Sequence, residues 1–147
     1  MNIERTGPRD IYPRRVLLAD DSEVIRIAIA SLLGSDPEIE LVGEAGSLRE
    51  AIFLAHKLKP DIIILDLHRD EGESPSKVRA RLSGTLLLAI CVWTDEESQA
   101  LANQFGALRL LGKGSLADEL IPAIKQEAHE PRRLSLESPT LPPSGVS

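Results

Sequence analysis

The chain has 147 residues, of which 42% are hydrophobic and only 3% aromatic, and its formal net charge at pH 7 is −6. This length suits one domain with an aliphatic core, and the acidic balance argues against a nucleic-acid surface, so we expect no direct DNA binding. The single cysteine, Cys91, excludes an internal disulfide, and its apolar neighbours indicate a buried side chain. No stretch approaches the roughly 18 consecutive apolar residues of a membrane helix, so we expect no membrane span. Met1–Arg15 lacks the apolar core of a secretory signal, so we expect a cytoplasmic location.

The two ends of the chain differ in composition from the middle. Residues 1–14 combine glycine and proline with charged side chains, and residues 130–147 are rich in proline and serine. Such segments bury too little apolar surface to order themselves. We therefore predict a flexible N-terminal lead over 1–14, one folded domain over 15–129 and a disordered tail over 130–147.

Within the domain, short apolar runs alternate with helical patterns. In chain order, the predicted elements are a strand over 15–19, a helix between Ser22 and Gly34, a strand over 39–42, a helix from Ser47 to Leu58, a strand over 61–66, a short helix over 76–82, a strand over 85–93, a helix over 95–105, a strand over 107–111 and a helix over 115–128.

Capping residues support two of these helices, and a proline complicates a third. Ser22 and Ser47 are good N-cap residues, and Glu50 follows Ser47 by three positions, as in a capping box. Gly34 is expected to end the first helix. Pro122 is expected to bend the last one, because proline removes a backbone donor.

Five strand–helix repeats predict an α/β domain. Strands that are apolar on both faces belong in a parallel sheet covered by helices on both sides, and crossovers between such strands are helical. The simplest result is an open, doubly wound sheet. Ligands bind such sheets at the carboxyl ends of the strands, so the residues at those ends decide the function.

Carboxylate, hydroxyl and amine groups follow the predicted strands. Asp20 and Asp21 follow the first strand, Asp66 ends the third, Thr94 follows the fourth and Lys113 follows the fifth. Three carboxylates repel one another unless a hard cation such as Mg²⁺ binds between them. Asp66 could then act as a nucleophile that forms an aspartyl phosphate, with the metal and Lys113 offsetting the phosphoryl charge. The Thr94 hydroxyl could donate to the new phosphate.

Each residue also has an ordinary structural alternative. The aspartates at 20, 21 and 66 could be solvated loop or cap residues, Thr94 could cap the next helix, and Lys113 could be a surface charge. Trp93, beside Thr94, is expected to pack within the strand. Four independent strand ends that all carry the required residue type nevertheless favour a functional site.

Three segments resemble the receiver domain of bacterial response regulators: Val16–Ser22, Pro60–Leu67, and Gly106–Ala107 leading to Lys113. The run Leu41–Ala45 resembles the receivers attached to LuxR-type outputs. The resemblance covers about residues 14–127. It implies a flavodoxin-like, doubly wound parallel sheet of five strands in the order 2-1-3-4-5, dependence on Mg²⁺, and a histidine kinase or phosphotransfer protein as partner.

The resemblance also assigns roles to residues. Asp66 matches the phosphoacceptor, Thr94 the switch hydroxyl and Lys113 the lysine that contacts phosphate. The implied metal ligands are Asp20, Asp21, Asp66 and the main-chain carbonyl of His68. The His68 side chain and Glu96 fall where the family flanks the path of the attacking water.

Three features depart from the family pattern. The usual Met-Pro-Gly stretch after the phosphoacceptor is replaced by residues 68–72, with two extra acids. Leu110 takes the aromatic switch position, and a leucine has no ring to flip. Residues 130–147 are too few for a helix-turn-helix output domain, so a stand-alone receiver is expected.

The leading hypothesis is a phosphoacceptor that signals through protein contacts to an unknown target. The family's contact face, helix 4 with strand 5 and helix 5, falls on about residues 97–127 and could also form a homodimer. Only self-phosphorylation and self-dephosphorylation are expected, so we do not class the protein as an enzyme. The alternative is an interaction module that does not switch by phosphorylation. A phosphatase of the haloacid dehalogenase type is disfavoured, because Asp66-Leu67-His68 lacks the second aspartate of its Asp-x-Asp motif.

Overall fold

The computed structural model describes residues 12–67 and 74–127, which form alternating strands and helices. The strands are β1 (Arg14–Ala19), β2 (Ile39–Ala45), β3 (Ile62–Asp66), β4 (Leu86–Cys91) and β5 (Arg109–Gly112). The helices are α1 (Glu23–Leu33), α2 (Leu48–Leu58), α3 (Pro75–Arg81), α4 (Glu96–Phe105) and α5 (Leu116–Glu127), and a 3-10 turn (Lys113–Ser115) precedes α5. The predicted lead and tail lie outside the described residues except for residues 12–14, so those boundaries stay predictions.

The five strands form one parallel sheet in the order β2-β1-β3-β4-β5. Leu18 pairs with Ile64 across β1 and β3, and Ile64 pairs with Leu88 across β3 and β4. The predicted doubly wound fold and strand order are confirmed. The carboxyl ends of β1 and β3 are consequently neighbours at one edge of the sheet.

Successive strand residues point to opposite faces of the sheet, and each face has its own aliphatic core. Leu17 and Ile63 pack toward α2, α3 and α4, whereas Leu18 and Ile64 pack toward α1 and α5. All four side chains are fully buried. Burying each such side chain is worth about 1.5–3 kcal/mol, so the two cores contribute strongly to the stability of the sheet that carries the site.

Both predicted serine caps are present. The Ile25 amide donates to Ser22 Oγ at 3.2 Å, and the Glu50 amide donates to Ser47 Oγ at 3.1 Å. The Glu50 carboxylate accepts from the amide of Gly46 at 2.9 Å instead of from the cap residue itself. The capping box therefore extends one residue upstream and holds the end of the β2–α2 loop.

Strand β2 runs to Ala45, three residues beyond the predicted end at Val42. The register with β1 shifts after Val16, which pairs with Leu41 while Leu17 pairs with Gly43. A Cβ at Gly43 would lie 2.8 Å from Leu58 Cδ1, so glycine lets α2 approach the strand closely here. This bulge interrupts the apolar alternation and explains why the sequence pattern ended the strand early.

Strand β4 is shorter than predicted, since it begins at Leu86 and ends at Cys91. Its last partners are Asp66 in β3, opposite Ile90, and Gly112 in β5, opposite Cys91. Among the described residues, β3 and β5 offer β4 no further strand partner beyond these positions. Trp93 is 66% exposed, so the expectation that it packs within the strand is wrong, whereas Cys91 is buried as predicted.

The remaining element boundaries differ by at most two residues. Helix α3 begins at Pro75, a favoured first position for proline because its missing N–H has no helical partner there. Strand β5 starts at Arg109 instead of Ala107, and α5 continues through an exposed Pro122. Among the described helices, none combines the length and the apolar character that a bilayer crossing requires.

Candidate functional site

Three aspartates meet at the carboxyl edge of the sheet. Ala19 pairs with Leu65, so the residues that follow them, Asp20 and Asp66, come next to each other at the ends of β1 and β3. Carboxylate oxygens of Asp20, Asp21 and Asp66 all lie within 4.8 Å of one another. Asp20 and Asp66 are buried, and Asp21 is exposed. The structure therefore brings together the three carboxylates that the strand ends predicted.

Lys113 enters the same cluster from the 3-10 turn after β5. Its Nζ lies 2.9 Å from Asp66 Oδ1 and 2.9 Å from Asp20 Oδ2. The contact with Asp20 is a close ion pair whose angles fall outside hydrogen-bond geometry. The surface-charge alternative for Lys113 is wrong, because its side chain is only 15% exposed.

The charge state of Lys113 follows from these contacts. Burial by itself lowers the pKa of Lys113, but the contacts and negative charges of Asp20 and Asp66 together outweigh burial, so the net pKa lies above its ordinary value. Lys113 is therefore cationic throughout the neutral range. One positive charge against three carboxylates leaves a net negative site.

The donor set suits a hard divalent cation. Asp20, Asp21 and Asp66 line an open cleft of about 230 Å³ together with Gly46 and Ser47. Carboxylate oxygens around space that can also hold water match the preference of Mg²⁺ for oxygen ligands and retained waters. The predicted carbonyl ligand at His68, and the altered loop over residues 68–72, lie outside the described residues.

Thr94 lies at the same edge, in the exposed β4–α4 connection. A Cβ at Gly112 would be 3.2 Å from Thr94 Cγ2, so the glycine that precedes Lys113 leaves room for this threonine. The cap of α4 is Asp95, whose Oδ1 accepts from the Ser98 amide at 3.0 Å. The alternative in which Thr94 caps the helix is therefore wrong, and its hydroxyl does not serve as the α4 cap.

Two other predicted positions are also located. Leu110 pairs with Ala89 and is half-buried against the core that faces α2, α3 and α4. Glu96 is exposed in the first turn of α4. Leu110 thus has a packing role that needs no aromatic ring.

Sequence reasoning missed Arg26, in α1. Its guanidinium donates to the main-chain carbonyl of Asp20 at 2.6 Å, and its Nε lies 3.5 Å from Glu44 Oε1. The only sequence signal was a basic residue close after the acidic pair, on a helix whose other early residues are mostly apolar. Such a signal cannot show which backbone group the arginine reaches.

A larger cleft, of about 480 Å³, lies at the opposite edge of the sheet. Two of its lining side chains contact the carbonyl ends of helices: Lys59 Nζ donates to His56 O at 3.4 Å, and His56 Nε2 lies 3.1 Å from Arg81 O. Positive groups commonly stabilise helix C-termini in this way. These contacts give Lys59 and His56 structural roles, and size alone does not mark this cleft as the functional site.

Comparisons with known proteins point to one kind of domain, although no family model matches the chain. The chain is 35% identical to the transcriptional regulatory protein LiaR of Bacillus subtilis over 114 residues, which cover 76% of this chain and 54% of LiaR. It is 34% identical to the transcriptional activator DevR/DosR of Mycobacterium tuberculosis over 114 residues, 76% of this chain and 52% of that protein. The chain thus spans about half the length of these curated relatives.

Solved structures give the same result. The signal receiver domain of response regulator NarL from Mycobacterium tuberculosis superposes with a TM-score of 0.73 at 25% identity, over 81% of this chain and 98% of that one. The response regulator domain of Thermotoga maritima CheB superposes with a TM-score of 0.69 at 26% identity, over 79% and 96%. Each of these solved domains is matched over nearly its whole length.

Proposed function

Since this chain carries a receiver domain of the response regulator family, we propose that it accepts a phosphoryl group on Asp66 from a histidine kinase or phosphotransfer protein. The observation that supports this most is the convergence of Asp20, Asp21, Asp66 and Lys113 at one sheet edge. Burying charged groups together costs desolvation free energy that their mutual attraction often does not offset, so stability alone is a weak explanation for this cluster.

The proposed chemistry needs little beyond positioning and charge. An Asp66 oxygen forms a bond to phosphorus while the bond between phosphorus and the donor's leaving atom breaks. Lys113, already 2.9 Å from Asp66 Oδ1, pairs with the phosphoryl oxygens. Mg²⁺ held by Asp20, Asp21 and Asp66 would offset the negative charge of the donor. Thr94 would donate its hydroxyl to the phosphate once that group is in place.

The proposed output is a protein contact. Thr94 connects directly to α4, and α4 is followed by β5 and then Lys113. A hydroxyl drawn toward the phosphate would shift the β4–α4 connection and so alter the face formed by α4, β5 and α5. It is part of this proposal that this face binds a target or a second copy of the chain. We expect no turnover of an external substrate beyond self-phosphorylation and self-dephosphorylation.

The test is intact mass spectrometry after incubation with acetyl phosphate and Mg²⁺. Wild type and Asp118→Asn, a change in an exposed aspartate of α5, should gain one phosphoryl group. Asp66→Asn should gain none, and omission of Mg²⁺ should abolish the gain. A phosphoryl group on Asp66→Asn would place the acceptor elsewhere and contradict the proposal.

Leu110 favours a second candidate, an interaction module that does not switch. A half-buried leucine in the core lacks the ring that couples the threonine to the contact face in the family. Hydrogen exchange of α4, β5 and α5 with and without acetyl phosphate separates the two. Changed exchange in these elements supports a switch. Phosphorylation without any change supports the module that does not switch, in which Asp66 would act only as a phosphate sink.

A further inference from the structure

Three hydrogen bonds of one residue, Asp20, hold the acidic turn after β1. The Asp20 amide donates to Ala45 O at 3.0 Å and continues the pairing with β2. Asp20 Oδ1 accepts from the Ser22 amide at 2.9 Å. The Asp20 carbonyl accepts from Arg26 at 2.6 Å. Because β1 ends at Ala19, this carbonyl lies beyond the strand, and a side chain from α1 provides the donor.

That carbonyl controls the direction of the next residue. A peptide group is planar, so fixing the Asp20 carbonyl also fixes the amide of Asp21 and the direction in which its Cα leaves the turn. Asp21 is the exposed member of the three carboxylates. The direction of its side chain toward the cleft therefore depends in part on the backbone of the turn, which the Asp20 carbonyl contact holds.

The shape of arginine suits this task. The guanidinium presents several N–H donors in one rigid plane. In Arg26, one nitrogen reaches the Asp20 carbonyl while Nε faces Glu44 at 3.5 Å. A Cβ at Gly46, a residue that lines the cleft, would lie 3.4 Å from the same Arg26 nitrogen. The guanidinium thus lies between the ends of β1 and β2, next to a residue that lines the cleft of the three carboxylates.

We propose that Arg26 is a positioning residue of the metal site, which acts through the Asp20 carbonyl to aim the Asp21 carboxylate at Mg²⁺. This inference rests on the proposed function, because it takes the three carboxylates to be the metal ligands. Groups that orient metal ligands typically change metal affinity about 10–100-fold when removed. The Glu44 contact is secondary, since that carboxylate is 41% exposed and its pairing is weak in water.

The experiment compares Mg²⁺ affinity by calorimetry in the full chain for wild type, Arg26→Met, Arg26→Lys and the control Glu44→Gln. Arg26→Met keeps much of the apolar stem but removes the donor, and we expect it to weaken Mg²⁺ binding by about tenfold or more. Arg26→Lys keeps a positively charged nitrogen that can donate to the carbonyl, so it should recover part of the lost Mg²⁺ affinity. Glu44→Gln removes the ion pair but leaves the carbonyl contact, and should bind Mg²⁺ within about twofold of wild type.

A metal-free measurement accompanies the titrations. The ¹⁵N chemical shift of the Asp21 amide reports the hydrogen bond on the adjoining Asp20 carbonyl, so this shift should change in Arg26→Met and stay the same in Glu44→Gln.

A lower melting temperature with unchanged Mg²⁺ affinity and amide shift would indicate a merely structural arginine and overturn the inference. An equal loss of affinity in Glu44→Gln would also overturn it. If Arg26→Met does not fold, the same criteria apply to Arg26→Lys. Wild type that binds no Mg²⁺ would contradict the proposed function and this inference together.

Discussion

At the scale of single residues, Lys113 has the most direct effect on the site. It contacts two of the three carboxylates at 2.9 Å, and both of those carboxylates are almost fully buried. Its raised pKa means that its contribution to stability is fully present below the ordinary lysine value of 10.5 and is lost only as the pH rises through the higher folded value. The site chemistry should therefore not titrate with Lys113 near neutral pH.

Replacing Lys113 by methionine should lower the unfolding free energy by about 1–2 kcal/mol without Mg²⁺, which is less than for a fully buried pair because the side chain is partly solvated. Added Mg²⁺ should shrink this difference, since the cation supplies the missing positive charge. Denaturant unfolding with and without Mg²⁺ measures both effects. Lys125→Met, which removes a lysine of α5 that pairs with Asp36 and Glu38 and not with the site carboxylates, should show no Mg²⁺ dependence. The same dependence in both variants would contradict the assignment.

At the scale of elements, polar links join helices and loops that are distant in sequence. Lys125 Nζ in α5 lies 2.8 Å from Asp36 Oδ2 and 3.2 Å from Glu38 Oε1, in the connection between α1 and β2. The hydrogen bond from Lys125 is the main reason that the pKa of Asp36 lies below its ordinary value of 3.8. These ion pairs connect α5 to the loop between α1 and β2 at the surface of the domain.

The Asp36 carboxyl should titrate below pH 3.8 in wild type and closer to that value in Lys125→Met, as followed by carboxyl carbon shifts in NMR. Because the folded pKa is depressed, the stability that this pair adds is present above pH 3.8 and is lost as the pH falls through the folded value. An unchanged Asp36 midpoint in Lys125→Met would show that the pair does not persist in solution.

Gly106 is the C-cap of helix α4, and its φ of 81° lies in the left-handed region. Gly106→Ala should lower the unfolding free energy by about 1–2 kcal/mol, because a Cβ is strained at this φ and would meet Arg79 Nε at 2.7 Å. Gly114→Ala is the matched control, since a Cβ there has nothing within 4 Å and its φ is not positive. Thermal melts of both variants check this, and equal melting temperatures would refute it.

At the scale of the whole molecule, two aliphatic cores hold a parallel sheet whose carboxyl edge collects the functional groups. The site is built from residues separated by up to 93 positions in sequence, from Asp20 to Lys113, so only the folded sheet assembles it. A ligand that binds only this assembled site must stabilise the whole domain through mass action.

Mg²⁺ at 100 times its dissociation constant should therefore raise the unfolding free energy by about 2.7 kcal/mol in wild type. Asp21→Asn removes the exposed carboxylate and should reduce this gain substantially at the same concentration. Differential scanning calorimetry across a Mg²⁺ series measures the shift in Tm. A Tm that rises equally in wild type and Asp21→Asn would indicate a nonspecific salt effect.

Much of the fold could be predicted from local patterns. The alternation of apolar runs with helical periodicity gave the element order, and Ser22 and Ser47 cap their helices as expected. Boundaries failed where they depend on a partner. The Gly43 bulge let β2 continue past Val42, and β4 stops at Cys91 because β3 and β5 end there. An apolar run such as the one through Trp93 carries no information about where its neighbours stop.

The sequence by itself determined which residue types stand at the strand ends, and the parallel topology made their meeting at one edge a prediction. Only the tertiary structure decided that Lys113 contacts both Asp20 and Asp66, that Asp95 and not Thr94 caps α4, and that Arg26 bonds the Asp20 carbonyl. The reason is physical: periodicity and capping act over a few residues, whereas these contacts depend on distances between elements that packing alone sets.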